Sequence, residues 1–429
     1  MGIVDYAARA IHTALQGFHS SQKLRSALNL RRRTAKFVRA TGTNRQLLVD
    51  VSTLVKSDAK TGIQRVANAI LQQWLANPPT GFDVKPVYAS RWEPFRYCLP
   101  TGELILDILP GESRTRMQGE RVVAQHGDIF VSLDLTAHIL PHHHLQLARW
   151  KIAGAKIFFV VYDLLPTFHP AWFTDKGVAA QRRWLRTLSI YADGAACISE
   201  AVAADVRVWL RTRFEAPSPD FAVSSFPLGA DINRPMQDDL HSPAIAGQLA
   251  ALNQRITVLM VGTVEPRKGY AQVLSAFETL WQGGCDINLV IVGKAGWKVE
   301  KLVAQLRAQP EAGKRMHWIE NGSDEMLCAL YANCTGLLMA SEGEGFGLPI
   351  VEAAKFGLPV LARDLPVFRE VGGDAASYFS ATQPAELAQA VSAWLAQIEN
   401  GSVVRSGRMK VYSWEESARG LLAAVGVSN

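Results

Sequence analysis

Several signatures are missing from this 429-residue chain, and each gap removes a class of function. No G-x-G-x-x-G follows a strand-like run with an acid some twenty residues on, and no G-x-x-x-x-G-K-S/T occurs. These gaps set aside the dinucleotide-dependent hydride-transfer and P-loop classes. The chain has no D-x-D pair, the usual carboxylate arrangement for holding a divalent ion against a diphosphate. No apolar run approaches the roughly 18 residues that a spanning helix needs. The N-terminus also lacks an apolar core with a small-residue cleavage site, so neither an integral-membrane nor a secreted protein is expected. Cysteine is scarce: Cys98, Cys197, Cys285, Cys328 and Cys334 contain no C-x-x-C, and their odd number predicts reduced core thiols without disulfide or zinc. The run His142–His144 does not replace such a metal site, because three consecutive histidines cannot all face one ion on regular structure.

Acid is also absent from one long stretch. Between Asp5 and Asp50 there are nine bases, Arg9, Lys23, Arg25, Arg31, Arg32, Arg33, Lys36, Arg39 and Arg45, and no carboxylate. Without them the net charge of +6 becomes slightly negative, so no positive potential covers the main body and nucleic acid is not an expected partner. Leu24, Leu28, Leu30, Phe37 and Val38 interleave with the bases of this arm. It reads either as a surface for an anionic membrane or as a solvated, partly helical extension.

What is present is 48% hydrophobic residues in a chain too long for one ordinary core, which predicts two domains. Apolar runs of strand length alternate with helix-compatible segments, the pattern of doubly wound parallel sheets. The predicted strands are 47–51, 84–89, 128–133, 156–162 and 194–199 in the first half. In the second half they are 256–262, 287–293, 316–320, 335–340, 358–362 and 376–379. The polar piece from Asp231 to about Gln254 is the expected boundary. Within "SEGEGFGLPIVEAAKFGLPV" (Ser341–Val360), Pro349 suits a first helical turn and Gly357 a position just past a helix end, predicting a helix over about 349–356. The loop before it offers backbone amides to an anion. Parallel sheets bind ligands outside the carboxyl ends of their strands. There the loop "TVEPRKG" adds two adjacent cations, Arg267 and Lys268, so a diphosphate is neutralised without metal.

These residues carry a resemblance. "EGFGLPIVE", Glu344 to Glu352, resembles the E-x7-E motif of retaining glycosyltransferases of family 4. So do "VGTVEPRKG" (261–269), "LVIVGKAGW" (289–297), "GLPVLARDLPVFREVGGDAASYF" (357–379) and "YSWEESA" (412–418), with "TGIQRV" (61–66), "VYDLLPTFHP" (161–170) and "FPLGAD" (226–231) in the first half. The "TGIQRV" and "EPRKG" variants look most like bacterial mannosyltransferases of surface-polysaccharide synthesis.

The resemblance implies an α/β protein of GT-B fold: two Rossmann-like doubly wound domains facing each other across a cleft. Residues 1–44 form the basic arm, 45–232 the acceptor domain, 233–412 the nucleotide-sugar domain, and 413–429 a helix packing back on the N-terminal domain. It implies Glu352 as the ligand of the donor ribose and Glu344 on the transferred sugar, stabilising positive charge at the anomeric carbon. Amides of Phe346, Gly347 and Leu348 hold sugar and phosphate oxygens, and Lys268 with Arg267 stabilises the departing diphosphate. Thr263 and Gly293 line the donor at the strand ends, the base stacks near Lys294–Trp297 and Glu320–Gly322, and Gly62 closes under the phosphates or merely starts a helix. Many relatives have a histidine where this chain has Tyr162 and Asp163, and Asp163 is the polar group assigned there. His169 either packs beside Pro170 or touches the acceptor. Glu265 either holds Arg267 or meets ligand.

The expected reaction is metal-independent transfer of a hexose, mannose from a GDP-sugar, to a saccharide or lipid-linked saccharide with retention, in the cytoplasm or at the inner face of its membrane. No cofactor is expected beyond the donor. Two alternatives stay open: a soluble synthase of small glycosides using another nucleotide sugar, and a silent sugar-nucleotide-binding protein.

Overall fold

Strand and helix identities follow from where the apolar residues sit. The computed structural model describes residues 18–34, 44–56, 61–98, 119–213, 221–230, 249, 252 and 254–427. They fall into two units. One lies within Met1–Thr167, Asp175–Gly229 and Trp414–Asn429, the other within Phe168–Thr174 and Ala230–Ser413. The polar piece expected as a boundary is in large part outside the described residues.

The first unit holds a seven-stranded sheet of β1 (Arg45–Asp50), β2 (Phe82–Tyr88), β3 (Arg96–Tyr97), β4 (Ile129–Ser132), β5 (Lys156–Val161), β6 (Gly194–Cys197) and β7 (Ala222–Ser225). Their order is β3-β2-β1-β4-β5-β6-β7, and every pairing is parallel except β2 with β3. "IFVS" of β4 is buried throughout and "KIFFVV" of β5 is buried after its first residue, as strands covered on both faces require. The two edge strands were not legible in the sequence. β3 has two residues, and β7, "AVSS", has no apolar run and is only half-buried.

Helices of this unit include α1 (Phe18–Thr34), α2 (Gly62–Ala76), α3 (His144–Ile152) and α4 (Asp175–Tyr191). The C-terminal helix, Trp414–Ala424, packs on α2, and Trp74 Nε1 donates to the Ala418 carbonyl at 3.1 Å.

Helix α1 corrects the reading of the basic arm as a solvated extension over the part that is described. It lies against α3 and α4. Buried Arg25 donates through Nη1 to the carbonyls of Ser189 at 3.1 Å and Ala192 at 2.6 Å. A cation thus completes the negative carboxyl end of α4. Leu28 is buried beside it, and Arg32 donates to Asp193 Oδ1 at 2.7 Å. Lys151, with no exposed side-chain surface, reaches the same oxygen at 3.0 Å. Burial pulls the Lys151 ammonium down to about 8 against the attraction of Asp193. For Asp193, burial alone would raise the carboxyl, and Lys151 with Arg32 holds it below the usual range. The apolar and cationic side of α1 is therefore spent on docking, and Lys23, Leu30 and Arg31 point outward.

In the second unit, β8 (Ile256–Val261), β9 (Ile287–Val292), β10 (Met316–Ile319), β11 (Gly336–Met339), β12 (Val360–Arg363) and β13 (Ser377–Phe379) form an all-parallel sheet in the order β10-β9-β8-β11-β12-β13. Strand β9, "INLVIV", is buried at all six positions. Helices α5 (Tyr270–Gln282), α6 (Asp324–Asn333) and α7 (Leu348–Lys355) carry residues of the site. Segment Phe168–Thr174 packs with this unit although it lies in the first half of the chain. Its carbonyls at Ala171 and Phe173 accept from Lys298 Nζ at 2.7 and 3.1 Å, and Trp172 O accepts from Trp297 Nε1 at 2.8 Å.

The Asp193 cluster supplies the first test. Asp193→Asn leaves the Lys151 charge buried without its partner and should cost about 3–5 kcal/mol in urea unfolding of the first unit. Adding Lys151→Met should restore most of that loss. Unaltered stability of the single variant would contradict this account of how α1, α3 and α4 are joined.

Candidate active site

The loop after β8 and the loop after β11 meet through backbone and side chain together. Glu342 N donates to the Arg267 carbonyl at 2.7 Å, and Arg267 Nη1 donates back to the Gly343 carbonyl at 2.9 Å. The approach is close because of Gly269. Its φ of +74° is in the left-handed region, and a Cβ there would lie 2.2 Å from the Ala340 carbonyl oxygen, so only glycine fits.

Glu344 sits where the loops join, with 8% of its side chain exposed. Arg267 Nη1 donates to Oε2 at 2.8 Å, while Lys268 Nζ and Ser341 Oγ both donate to Oε1, the latter at 2.9 Å. Glu265, also buried, accepts from Arg267 Nε at 2.9 Å. Of the two roles considered for Glu265, the structure therefore shows the one that holds Arg267. Burial alone would raise the Glu344 carboxyl. The charges and hydrogen bonds of Lys268 and Arg267 outweigh it and hold the group down at about 2. Glu265 moves the other way, because burial raises it against the pull of Arg267 and Lys268. The alternating run Glu265, Arg267, Glu344, Lys268 is neutral as a whole and presents its cations at the carboxyl edge of the sheet.

Glu352 is eight residues on, buried on α7, and accepts from Tyr331 Oη at 2.7 Å across from α6. Gly347, with φ of +102°, opens α7. The amides of Phe346, Gly347 and Leu348 take no partner among the described residues, which leaves three donors at a helix N-terminus for an anion. Thr263 is half-buried in the loop after β8. At Gly293 the amide donates to the Ile319 carbonyl at 3.0 Å and the carbonyl accepts from Trp318 Nε1 at 2.8 Å, so the backbone at this strand end is already paired. Trp297 is likewise engaged, its indole N–H on Trp172 and its ring 5.8 Å from that of Phe173.

Three residues of the first unit were assigned from the sequence, and the structure places them as follows. Tyr162 is 5% exposed and donates Oη to the Leu133 carbonyl at 2.8 Å, so it is a core residue and not a substrate ligand. Asp163 Oδ1 accepts from Leu165 N at 3.0 Å, capping the short turn that follows β5. Gly62 is the first residue of α2, in a capping box made by Thr61 and Gln64, and so starts a helix. His143 meets the Ser90 carbonyl at 2.7 Å, and His169 stacks on Trp172 with ring centroids 4.1 Å apart.

Sequence reasoning missed Ser341, Tyr331 and a buried acid pair, since none sits in a spacing that announces a partner. The acids, Asp50 and Asp134, occupy the point between β1 and β4 where strand order reverses. Asp50 accepts from Ser52 and Thr136, while Asp134 accepts from the amides of Thr53, Leu54 and Leu135. Burial, with Asp134 adding repulsion, pushes Asp50 up to about 7.

Comparison with known proteins places relatives beside this chain. Residues 242–402 match the family model described as glycosyl transferases group 1. The serotype-specific mannosyltransferase WbdA of Escherichia coli is 41% identical over 380 residues, covering 88% of this chain and 46% of the relative. The chain thus spans just under half the length of these relatives. An Escherichia coli O-antigen chain mannosyltransferase B is 36% identical over 121 residues, 27% of this chain and 31% of that protein. Among solved structures, sucrose-phosphate synthase of Thermosynechococcus elongatus superposes with a TM-score of 0.58 at 16% identity, covering 89% of this chain and 96% of that one. Anabaena HepE in complex with UDP and glucose gives 0.56 at 16% identity, covering 89% and 95%. At such identity these two speak for the GT-B fold alone.

The electrostatics of Glu344 predict a titration. Its depressed carboxyl contributes stability that is complete above the ordinary glutamate value and is lost only as pH falls toward 2. The carboxyl 13C signal of Glu344, assigned with Glu344→Gln, should show no inflection between about pH 4 and 8. Lys268→Met should move the inflection upward into that window. An inflection at an ordinary glutamate value in the unaltered protein would contradict the clamp.

Proposed function

We propose, from the match of residues 242–402 to the group 1 glycosyl transferases and the similarity to the WbdA mannosyltransferase, that the chain transfers mannose from GDP-mannose to an acceptor hydroxyl in bacterial surface-polysaccharide synthesis. The observation that carries the reading is the ionised Glu344 held between Lys268 and Arg267, eight residues before a buried Glu352 on the helix that follows.

In this reading the donor diphosphate shares Lys268 and Arg267 with Glu344 and takes further hydrogen bonds from the amides of Phe346, Gly347 and Leu348. Glu352 accepts from the ribose hydroxyls, a use suited to a carboxylate with two oxygens. Glu344 accepts from hydroxyls of the hexose and stabilises positive charge as the anomeric carbon loses its leaving group. It acts through charge and not as a proton donor, because it stays ionised near neutral pH. The leaving diphosphate takes the proton of the acceptor hydroxyl, which attacks from the same face, so configuration is retained. Two side-chain cations replace a metal, and no cofactor is needed beyond the donor. The protein contributes positioning and preorganised charge.

The acceptor is a saccharide or lipid-linked saccharide, and the chain works in the cytoplasm, against the inner face of its membrane. Among the described residues no helix is long and apolar enough to cross a membrane. Contact with an anionic surface through residues 1–44 falls to the outward side of α1, Lys23, Leu30 and Arg31, since its other side is docked.

Three outcomes are expected. In a thermal-shift panel GDP should stabilise the protein more than UDP, ADP or dTDP, by about 2.7 kcal/mol at a hundredfold excess over Kd. Glu344→Gln and Lys268→Ala should each lower GDP release from GDP-mannose by roughly 10²- to 10³-fold, while Glu352→Gln should act chiefly on donor KM. Wild-type rates in the first two variants would dismiss the enzyme reading. With anionic vesicles, Lys23→Ala/Arg31→Ala should reduce flotation roughly tenfold or more, each base near the lipid being worth about 1 kcal/mol. Equal recovery would dismiss the membrane contact.

A further inference from the structure

Arg363 ends β12, the neighbour of the strand that leads into the Glu344 loop, within the stretch 357–379, and no site role was assigned to it from the sequence. Its guanidinium nevertheless touches both segments on which the site is built. Nε and Nη2 donate to the Ala340 carbonyl at 3.2 and 3.1 Å, immediately before Ser341. Nη2 also donates to Gln272 Oε1 at 2.5 Å, on the first turn of α5 and four residues after Lys268. Nη1 donates to the Ala381 carbonyl at 2.7 Å, to which Gln272 Nε2 also donates at 3.2 Å. The cation lies over the Phe379 ring, 5.1 Å from its centroid, which fixes the plane of the fork.

Ala340 is also the residue against which Gly269 packs without room for a side chain. One carbonyl is thus gripped from the β12 side by Arg363 and pressed from the α5 side by the residue that follows Lys268. The separation of Lys268 from Glu344 depends on where Ala340 and the start of α5 lie. A single planar group bonds to both.

We infer that Arg363 is a positioning residue for glycosyl transfer, holding the Lys268 loop and the Glu344 loop at the spacing that lets Glu344 and the two cations share one donor. The inference rests on the reading of this site as the donor site. A lysine keeps the charge but supplies no fork able to reach Ala340, Gln272 and Ala381 together. Displacing reacting groups by about 1 Å can cost 10²-fold in rate without a matching loss of binding.

The test uses the full chain and GDP-mannose with water as acceptor, following GDP release at saturating donor, with GDP affinity by calorimetry and Tm on the same samples. Arg363→Lys and Gln272→Ala should lower the rate by about 10- to 100-fold and about 3- to 10-fold respectively, with GDP Kd changed less than about threefold. In a Glu344→Gln background the Arg363→Lys change should cost less than about threefold more, since residues acting through one group are not additive. A wild-type rate for Arg363→Lys overturns the inference. So does a loss of the same size in both backgrounds, which would mark a merely structural role. Arg363→Met is the harsher variant, and if it fails to fold the other two carry the test. If the unaltered protein neither binds GDP nor releases it, the donor reading falls and this inference with it; a normal wild type with an unaffected Arg363→Lys removes the inference alone.

Discussion

A carboxylate with 8% of its side chain exposed cannot stay ionised unless its neighbours replace the water it has lost, and Glu344 meets that demand with Arg267, Lys268 and Ser341. Everything else in the C-terminal unit is arranged so that these groups can meet. The two cations come from a turn after β8, the acid from a turn after β11, and the turns touch only because Gly269 has no side chain to keep Ala340 away. Glu265 then keeps Arg267 from swinging into solvent. The balance of charge is close to neutral, so a diphosphate brought into the same cradle must share cations already in use. In the proposed reading that competition favours a ligand carrying both phosphate and hydroxyls, which can compensate cations and acid together.

The sheets supply the rigidity that this arrangement needs. Parallel strands buried on both faces fix their carboxyl ends to within the tolerance of a packed core, and the functional loops are short extensions of those ends. The first unit solves a different problem. Its sheet switch point is tied by Asp50 and Asp134, and its basic helix is docked by Arg25, Arg32 and Lys151 against α4 and Asp193. Two of the bases that seemed available for an outside partner, Arg25 and Arg32, are structural, which moves any surface role of that helix to its opposite side.

Much of the C-terminal unit was legible in the sequence because β8, β9 and β11 are largely apolar runs that end in glycine-containing loops. The helix at Leu348–Lys355 lies within one residue of its expected bounds, set by Pro349 and Gly357. Edge strands escaped, since β3 and β7 are short and half-exposed and so carry no apolar signature. For the site, the pairing of Glu265 with Arg267 followed from an interval of two residues. The contacts of Tyr331 with Glu352 and of Arg363 with Ala340 span 21 and 23 residues and depend on strand order, which local pattern does not encode. Tyr162 misled for the opposite reason: a polar residue at a strand end looks accessible in sequence, yet its hydroxyl is bonded inward to Leu133.

The central claim is that one cradle in the C-terminal unit takes a nucleotide sugar by sharing its two cations between diphosphate and Glu344. A crystal structure with GDP-mannose, or a non-hydrolysable analogue of it, tests this most directly. The account predicts diphosphate oxygens within hydrogen-bonding distance of Lys268 Nζ and the Arg267 guanidinium, Glu344 on the hexose and Glu352 on the ribose. A donor bound elsewhere, with the Arg267–Glu344–Lys268 contacts intact and Glu352 away from any ribose, would contradict it.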